Sequence, residues 1–400
     1  GRAGGGAVSA RSILDGGGIA LEDHHHDLRA TMRAFLERHA PNELVNELDR
    51  EGRFPAEIVA GLAELGICGA TLPERFGGSD VDSTSVAIIC EEVQRAGSCI
   101  ASAITPTLTF GGPAILWHGD EALQQRLLPG IAAGETRIAI GLTEPDAASD
   151  LSQVATRATA VEGGFLVSGT KVWCTGALDA EYVIALVRTD PAATGYDGMS
   201  FLLVPTDADN LEIRKIPKLA GQGTASCEVF CDETFVAAEN LVGELHGGKR
   251  ILWSLLDSER VYVAAQTVGV AQGAYDFALA YAHQRRQFGR PVIEHQAVGH
   301  RLEDMACQLT MARLLAYTAC ARADRDEPYS LDAVMAKVSC SEIATRVVEL
   351  AMEVLGAYGY SVEYPIERFY REVKLFEIAG GTNQILRNVI VKNLQPPRGT

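Results

Sequence analysis

The chain has 400 residues, enough for one large domain or two to three smaller ones with ample core. Hydrophobic residues make up 47% and charged residues 22%, an ordinary soluble globular composition. The formal charge of −17 argues against nucleic acid or an anionic membrane as partner, suits a docking surface for a basic protein, and says nothing about fold.

Residues 1–20, GRAGGGAVSARSILDGGGIA, are too glycine-rich to fold and lack the apolar run of a secretion signal, so a disordered leader is expected there. His24–His26 opens the first helical pattern and reads as a solvated helix end rather than a metal site. No apolar run approaches a membrane span. From 21 to 137 the apolar residues recur three or four apart in LRATMRAFLERHA, AEIVAGLAELG, STSVAIICEEVQRAG and EALQQRLLPGIAAG, which predicts an N-terminal α-helical domain. Breaks are expected at Pro41, Pro55, Pro73, Gly77–Gly78 and Pro113.

At about Ile138 the period changes from 3.6 to 2. RATAVE, FLVSGTKVW, EYVIALVR, MSFLLVP, LEIRKI and SCEVFCDETFV are short, β-branched and punctuated by Gly, Asp or Pro, as in an antiparallel β domain over 138–248. Gly163–Gly164 between two of these runs is a hairpin signal. The nine cysteines, scattered from Cys68 to Cys340, form no C-x-x-C and no zinc-finger spacing, so reduced, mostly buried thiols of a cytoplasmic protein are expected. Cys227 and Cys231 share one face of a strand and read as packing.

Long helical patterns fill 249–400, so the order is helices, strands, helices, an α+β arrangement. There is no βαβ alternation and no G-x-G-x-x-G, which removes a dinucleotide-binding Rossmann domain as the default cofactor site. Within Ile251–Tyr275 the only formal charges are Asp257, Glu259 and Arg260, on a helix whose composition predicts burial on most of its circumference. Buried carboxylates cost several kcal/mol unless they are paired or face a wet cleft, roughly speaking. Asp257 and Arg260 stand three apart and suit an ion pair, structural or functional. Glu259 points elsewhere, about 100° round from Arg260, and is the candidate for chemistry.

Six motifs, in order, carry a family resemblance: LGICGATLPERFGG (65–78), IGLTEPDAASD (140–150), KVWCTG (171–176), QRRQFGRPVIEHQ (284–296), LGAYGY (355–360) and IAGGTNQILR (378–387). By these the chain resembles the acyl-CoA dehydrogenases from about residue 21 to 395. The resemblance implies an N-terminal helical domain, a middle antiparallel β-barrel or sandwich, and a C-terminal four-helix bundle. It also implies FAD between the β domain and the bundle, and a substrate carried as a thioester of coenzyme A or of an acyl-carrier protein.

Residue by residue, it assigns Thr143 and the backbone of Leu142 to the flavin ring, with Trp173 and Thr175 covering its face and edge. Ser149 would contact both cofactor and thioester arm. Arg285, Phe288 and Gln296 would reach the pyrophosphate and adenine of an FAD held across a dimer interface, with Glu353, Gly356, Thr382 and Gln384 beside the nucleotide. Leu256, Asp257, Arg260 and Ala379 would line the substrate path. Glu353 departs from the family's usual Gln, and a carboxylate there would repel phosphate.

The largest departure is Gly380. Medium- and short-chain types carry their catalytic glutamate at this place in x-E-G-T, and here the motif reads Ala379-Gly380-Gly381-Thr382. Isovaleryl- and long-chain-type members instead place it on a helix bearing S-E-R, which Ser258-Glu259-Arg260 matches. The expected activity is therefore an FAD-dependent acyl-thioester dehydrogenase. Glu259 would take the α-proton, and the backbone N–H of Gly380 with the FAD ribityl hydroxyl would hold the thioester carbonyl. Electrons would pass to an electron-transfer flavoprotein, and a homotetramer is expected. Two alternatives are a non-catalytic flavin-binding subunit of a heteromeric dehydrogenase and an oxygen-using oxidase of the same fold; the oxidase relatives use a carboxylate at position 380, which is missing here.

Overall fold

The computed structural model describes residues 21–395. The expected leader at 1–20 lies outside the described residues. Helices α1 (Asp23–His39), α2 (Asn42–Glu51), α3 (Ala56–Glu64) and α4 (Ser83–Ala96) lead to α5 (Ser98–Pro106), α6 (Gly112–His118) and α7 (Glu121–Ala132). Pro41 and Pro55 sit at helix N-caps and Pro73 caps a 3-10 turn, as their fixed φ favours.

Pro113 does not break the chain. A π-helical turn over Thr107–Gly111, in which Gly112 N–H donates to the Thr107 carbonyl, joins α5 to α6, and Pro113 falls in the first turn of α6, where a missing N–H is tolerated. Ser98–His118 is consequently long and apolar enough to cross a membrane by length and composition, against the sequence expectation. It is a core helix: 83% of its apolar window is buried inside the protein.

The histidine run also differs from expectation. His24 and His26 are exposed, but His25 is buried, with Nδ1 accepting from the Glu22 backbone N–H at 3.0 Å and Nε2 3.0 Å from the Asp82 carboxylate. His24, His25 and Asp82 lie within 4.8 Å of one another, a spacing a cation could use. Yet an Nδ1 that accepts leaves its proton on Nε2, the nitrogen a metal would need free. His25 is an interhelical tie to the α4 N-cap residue Asp82.

Strands β1 (Ile138–Gly141), β2 (Arg157–Val161), β3 (Gly164–Thr175), β4 (Tyr182–Arg188), β5 (Met199–Pro205), β6 (Leu211–Lys215), β7 (Ser226–Ala237) and β8 (Leu241–Val242) form one sheet in the order β6-β7-β3-β2-β4-β5-β8. The β2–β3 hairpin turns where expected, with Val161 paired to Gly164 and Gly163 at φ +79°. Most pairs are antiparallel, but β1 runs parallel to β4, Ile138 facing Tyr182 through Gly141 facing Ala185. The sheet is therefore mixed, and β2 also pairs parallel to β4 at Arg157 and Arg188. Cys227 and Cys231 pack in the core cluster that also holds Val167 and Val236.

The long helix is α8 (Gly248–Gln284), followed by a two-stranded hairpin, β9 (Arg286–Gln287) and β10 (Arg290–Pro291), then α9 (Gln296–Ala323), α10 (Ser330–Leu355), α11 (Ile366–Val373) and α12 (Asn383–Leu394). Four helices pack as a bundle, but the fourth is α4 from the N-terminal region. One core cluster unites Val86, Ala87, Ile88 and Cys90 of α4 with Val261 to Ala282 of α8, Leu309 of α9 and Val347 of α10. Buried ion pairs lock this joint: Glu91 of α4 receives Arg313 of α9 at 2.6 Å and the Tyr317 hydroxyl at 2.6 Å.

Candidate active site

Glu259 sits where composition predicted a tension. It lies on α8 one residue after the buried Ser258, and its Oε2 is screened from solvent with no hydrogen-bond partner. Burial pushes its carboxyl above the ordinary carboxylate value, against the opposing pull of Arg260 and Lys337. An orphaned acceptor of this kind costs about 1–3 kcal/mol and persists only where something else uses it.

Asp257 and Arg260 do form the pair expected from their spacing, at 3.2 Å, and Asp257 also accepts from the Ser330 hydroxyl of α10. This leaves Glu259 outside the pair, as the helical angle requires. Leu256, one turn earlier, is half-buried and packs on the cluster containing Leu252 and Leu255.

The loop before α12 meets Glu259 face to face. Gly380 and Gly381 both have positive φ, +66° and +88°, so the chain reverses with two left-handed residues. A Cβ added at Gly380 would stand 3.4 Å from Glu259 Oε2. The side chain missing at 380 and the side chain present at 259 therefore open on the same small space. Ala379 precedes it, half-buried. Thr382 caps α12 by accepting from Ile385 N–H at 3.3 Å, and Gln384 is exposed beside it.

Lys337 was not singled out by sequence reasoning. It comes from α10, is wholly buried, and donates to the Gly381 carbonyl at 2.7 Å and to Asn383 Oδ1 at 3.0 Å. Burial lowers its ammonium to about 8, with Glu259 pulling the other way. A signal existed: Ala333-Val334-Met335-Ala336-Lys337-Val338 is otherwise apolar, and a lone Lys in such a run asks for a partner.

A second set of residues lies on the β domain. Trp173 is 55% exposed and adopts φ +62°, rare for a non-glycine, at a register shift between β3 and β7. The bulge turns the indole outward, while Thr175 returns to register and shares a hydrogen bond of 3.0 Å with the Ser226 hydroxyl. Next to it the 142–150 loop is held by a buried pair, Lys171 and Glu144, each inside a family motif. Lys171 donates to Glu144 at 2.7 Å and to the Leu142 carbonyl at 3.2 Å, and Glu144 accepts from the backbone N–H groups of Ala155 and Thr156. Burial raises the Glu144 carboxyl, but Lys171 and these donors outweigh it and hold it below its ordinary value. The Thr143 carbonyl accepts from Val172 N–H at 2.9 Å, which fixes Leu142 and Thr143 along β3, and Ser149 is exposed at the loop's far end.

A third set lies at the other end of α8. Arg285 is exposed, its guanidinium 5.6 Å from the Tyr358 ring centre. Phe288 is 95% exposed at φ +51° on the β9–β10 turn, and Gln296 opens α9 nearby. Gly356, at φ +61°, has nothing within 4 Å of its missing Cβ, so its backbone is open to close approach. Glu353 is paired with Arg301 at 2.8 Å, which answers the repulsion expected of a bare carboxylate beside phosphate. Arg285 lies 26 residues beyond Glu259 on α8, about 39 Å along the axis, so these groups cannot serve the same atoms as Glu259 within one chain.

Three family models match consecutive parts of the chain: acyl-CoA dehydrogenase, N-terminal domain, over 22–135; middle domain, over 139–234; and C-terminal domain, over 245–395. A curated relative, the probable acyl-CoA dehydrogenase YngJ of Bacillus subtilis, is 36% identical over 349 residues, covering 87% of this chain and 92% of its own. The caffeyl-CoA reductase-Etf complex subunit CarC of Acetobacterium woodii is 34% identical, covering 91% of this chain and 96% of its own. Among solved structures, butyryl-CoA dehydrogenase from Megasphaera elsdenii superimposes with a TM-score of 0.89 at 32% identity, covering 94% of this chain and 99% of that one.

Proposed function

The chain belongs to the acyl-CoA dehydrogenase family, whose members are FAD-dependent, and from that premise we propose that it desaturates an acyl thioester between Cα and Cβ with Glu259 as the base. The observation that carries this reading is the unpartnered Glu259 Oε2 facing the space left by Gly380.

The residues fit the cofactor. An outward-facing indole on a strained bulge offers a flat apolar wall, and the Glu144–Lys171 pair stiffens the loop that would border the flavin ring. Bound FAD supplies the acceptor for the hydride that leaves Cβ. Everything else falls to the protein. The Glu259 carboxylate takes the α-proton and becomes a neutral acid in a site whose burial already favours that form. The Gly380 N–H, presented by a turn that Lys337 fixes through the next carbonyl, is the candidate donor for the thioester oxygen. Developing negative charge on that oxygen lowers the cost of breaking the Cα–H bond.

Asp257, Arg260, Leu256, Ala379 and Ser149 are proposed along the thioester arm. Trp173, Thr175, Thr143 and Leu142 are proposed around the flavin ring. Thr382 and Gln384 are proposed beside the nucleotide at the Glu259 end, and Arg285, Phe288, Gln296, Glu353 and Gly356 around the nucleotide of a second copy's FAD, a division supported by the length of α8. A homotetramer follows as the proposed assembly. The CarC relative is named as a subunit of a complex with Etf, which supports an electron-transfer flavoprotein as the proposed acceptor.

Anaerobic mixing with a panel of linear and branched acyl-CoA and acyl-carrier-protein thioesters tests the reading. Glu259→Gln keeps volume and hydrogen-bonding capacity but cannot accept the proton, so flavin bleaching should slow by about 10²–10⁴-fold with FAD still bound. Bleaching by Glu259→Gln at near wild-type rate would sink the assignment. No bleaching of the wild type by any thioester would favour the non-catalytic subunit instead.

A further inference from the structure

We propose that Lys337 is a positioning residue for proton abstraction: from α10 it pins the Gly380–Gly381 turn by its carbonyl and, across that turn, holds the Glu259 carboxylate ionised and aimed at the substrate. The inference rests on Glu259 being the base.

The geometry supplies both halves. Lys337 Nζ is wholly buried and places two of its three donors, on the Gly381 carbonyl at 2.7 Å and Asn383 Oδ1 at 3.0 Å. Asn383 is itself buried and donates from Nδ2 to the Ser341 hydroxyl at 2.9 Å, one turn further along α10. The turn is thus clamped on its C-terminal side by α10, while on its N-terminal side the open face of Gly380 is 3.4 Å from Glu259 Oε2. Two glycines in left-handed geometry have many alternative conformations, and a pin at the second carbonyl fixes where the first N–H points.

The second half is electrostatic. Glu259 Oε2 accepts no hydrogen bond, so Lys337 acts on it through space in a buried setting where screening is weak. The charged groups that face this pair are few. Arg260, the neighbour of Glu259 on α8, opposes burial more strongly than Lys337 does, while its guanidinium also pairs with Asp257 at 3.2 Å. Glu377 and Glu342 face Lys337 from the other side; Glu377 is held by Lys374 at 2.7 Å and by Thr345, and Glu342 is paired with Arg387. With Glu377 and Glu342 otherwise occupied, Lys337 is the α10 cation that joins Arg260 in opposing the effect of burial on Glu259. A base needs that opposition, because a carboxyl kept neutral by burial cannot accept a proton.

The test follows the protonated-carboxyl infrared band of Glu259, identified by its loss in Glu259→Gln, across pH in the holoenzyme, together with the pH profile of flavin bleaching. Lys337→Met should move the Glu259 midpoint upward by a tenfold or greater change in proton concentration. Bleaching at pH 7 should slow by at least tenfold and recover in part at higher pH, and Lys337→Arg should keep the wild-type midpoint. A merely structural lysine would lower the melting temperature without moving either midpoint. Wild-type midpoints in a folded, FAD-replete Lys337→Met would overturn the proposal. If Glu259→Gln bleaches normally, the base assignment fails instead, so the two failures are distinct.

Should Lys337→Met not fold, Glu259→Gln alone gives the reciprocal measurement. Without its anionic neighbour, Lys337 should lose its proton at lower pH, so amide-exchange protection of 380–387 should disappear at a lower pH than in the wild type. Identical pH dependence in the two proteins would overturn the proposal.

Discussion

At Glu259 catalysis and stability pull in opposite directions. Its carboxyl is raised by burial above its ordinary 4.5. A carboxyl raised in the folded state favours folding while protonated, and that advantage is lost as pH rises through the raised value. Glu259→Gln, a permanent mimic of the neutral form, should match the wild type in stability near pH 4. At pH 7 to 8 it should be more stable by about 1–3 kcal/mol, because the orphaned anion is gone. Chemical denaturation of both proteins across that range checks the sign; equal stability throughout would show that the carboxylate is solvated after all. Position 380 offers the converse experiment. Gly380→Glu alone should abolish activity, since its Cβ would stand 3.4 Å from Glu259 Oε2 with a second carboxylate in the same small space, and the side chain is forced onto φ +66°. The double variant Glu259→Gln/Gly380→Glu should recover part of it and shift preference toward slim, unbranched thioesters, which steady-state rates on linear and branched acyl-CoAs would reveal.

Between elements, the most consequential joint is the buried Lys171–Glu144 pair that fastens β3 to the loop after β1. Lys171→Met strands a buried carboxylate and should cost about 3–5 kcal/mol, visible as a large fall in melting temperature. Adding Glu144→Gln should restore much of that loss, since the uncompensated charge is then removed. This joint also shows what the sequence could and could not convey. The change of period at Ile138, the hairpin at Gly163 and the helix carrying Glu259 follow from alternation and turn chemistry, which are local. The Asp257–Arg260 pair follows from helical spacing. By contrast, the π-turn that admits Pro113 follows no periodicity, and β1 lying parallel to β4 and His25 tied to Asp82 each depend on a partner distant in sequence. Lys337 was overlooked for the same reason: its reason for being buried is a carbonyl 44 residues away. The outward turn of Trp173 was equally invisible, because a bulge is decided by the facing strand.

For the molecule as a whole, the proposed assignment of Arg285 to a second copy's FAD predicts that a lone chain holds its cofactor poorly. Arg285→Ala should therefore release FAD more readily than substitutions on the β domain, yet leave the melting of the FAD-free protein nearly unchanged, since Arg285 is exposed. Sedimentation of the wild type should give a tetramer, and a fully flavinylated monomer would contradict the shared site. The borrowing of α4 by the C-terminal bundle has a consequence in time. Glu91 can meet Arg29 of α1 at 3.3 Å early, but its closest cation, Arg313 at 2.6 Å, lies 222 residues downstream. At synthesis rates of about 5–20 residues per second, that partner leaves the ribosome about 11–44 s later. Throughout that interval Glu91 and Glu92 have Arg29 and Arg33 of α1 as partners, but the apolar face that α4 turns to the bundle is uncovered. The nascent chain is thus obliged to wait, and holding chaperones should engage it between the appearance of α4 and that of α10. Ribosome profiling of chaperone-bound nascent chains would show occupancy rising after residue 96 and falling only once residue 355 is exposed.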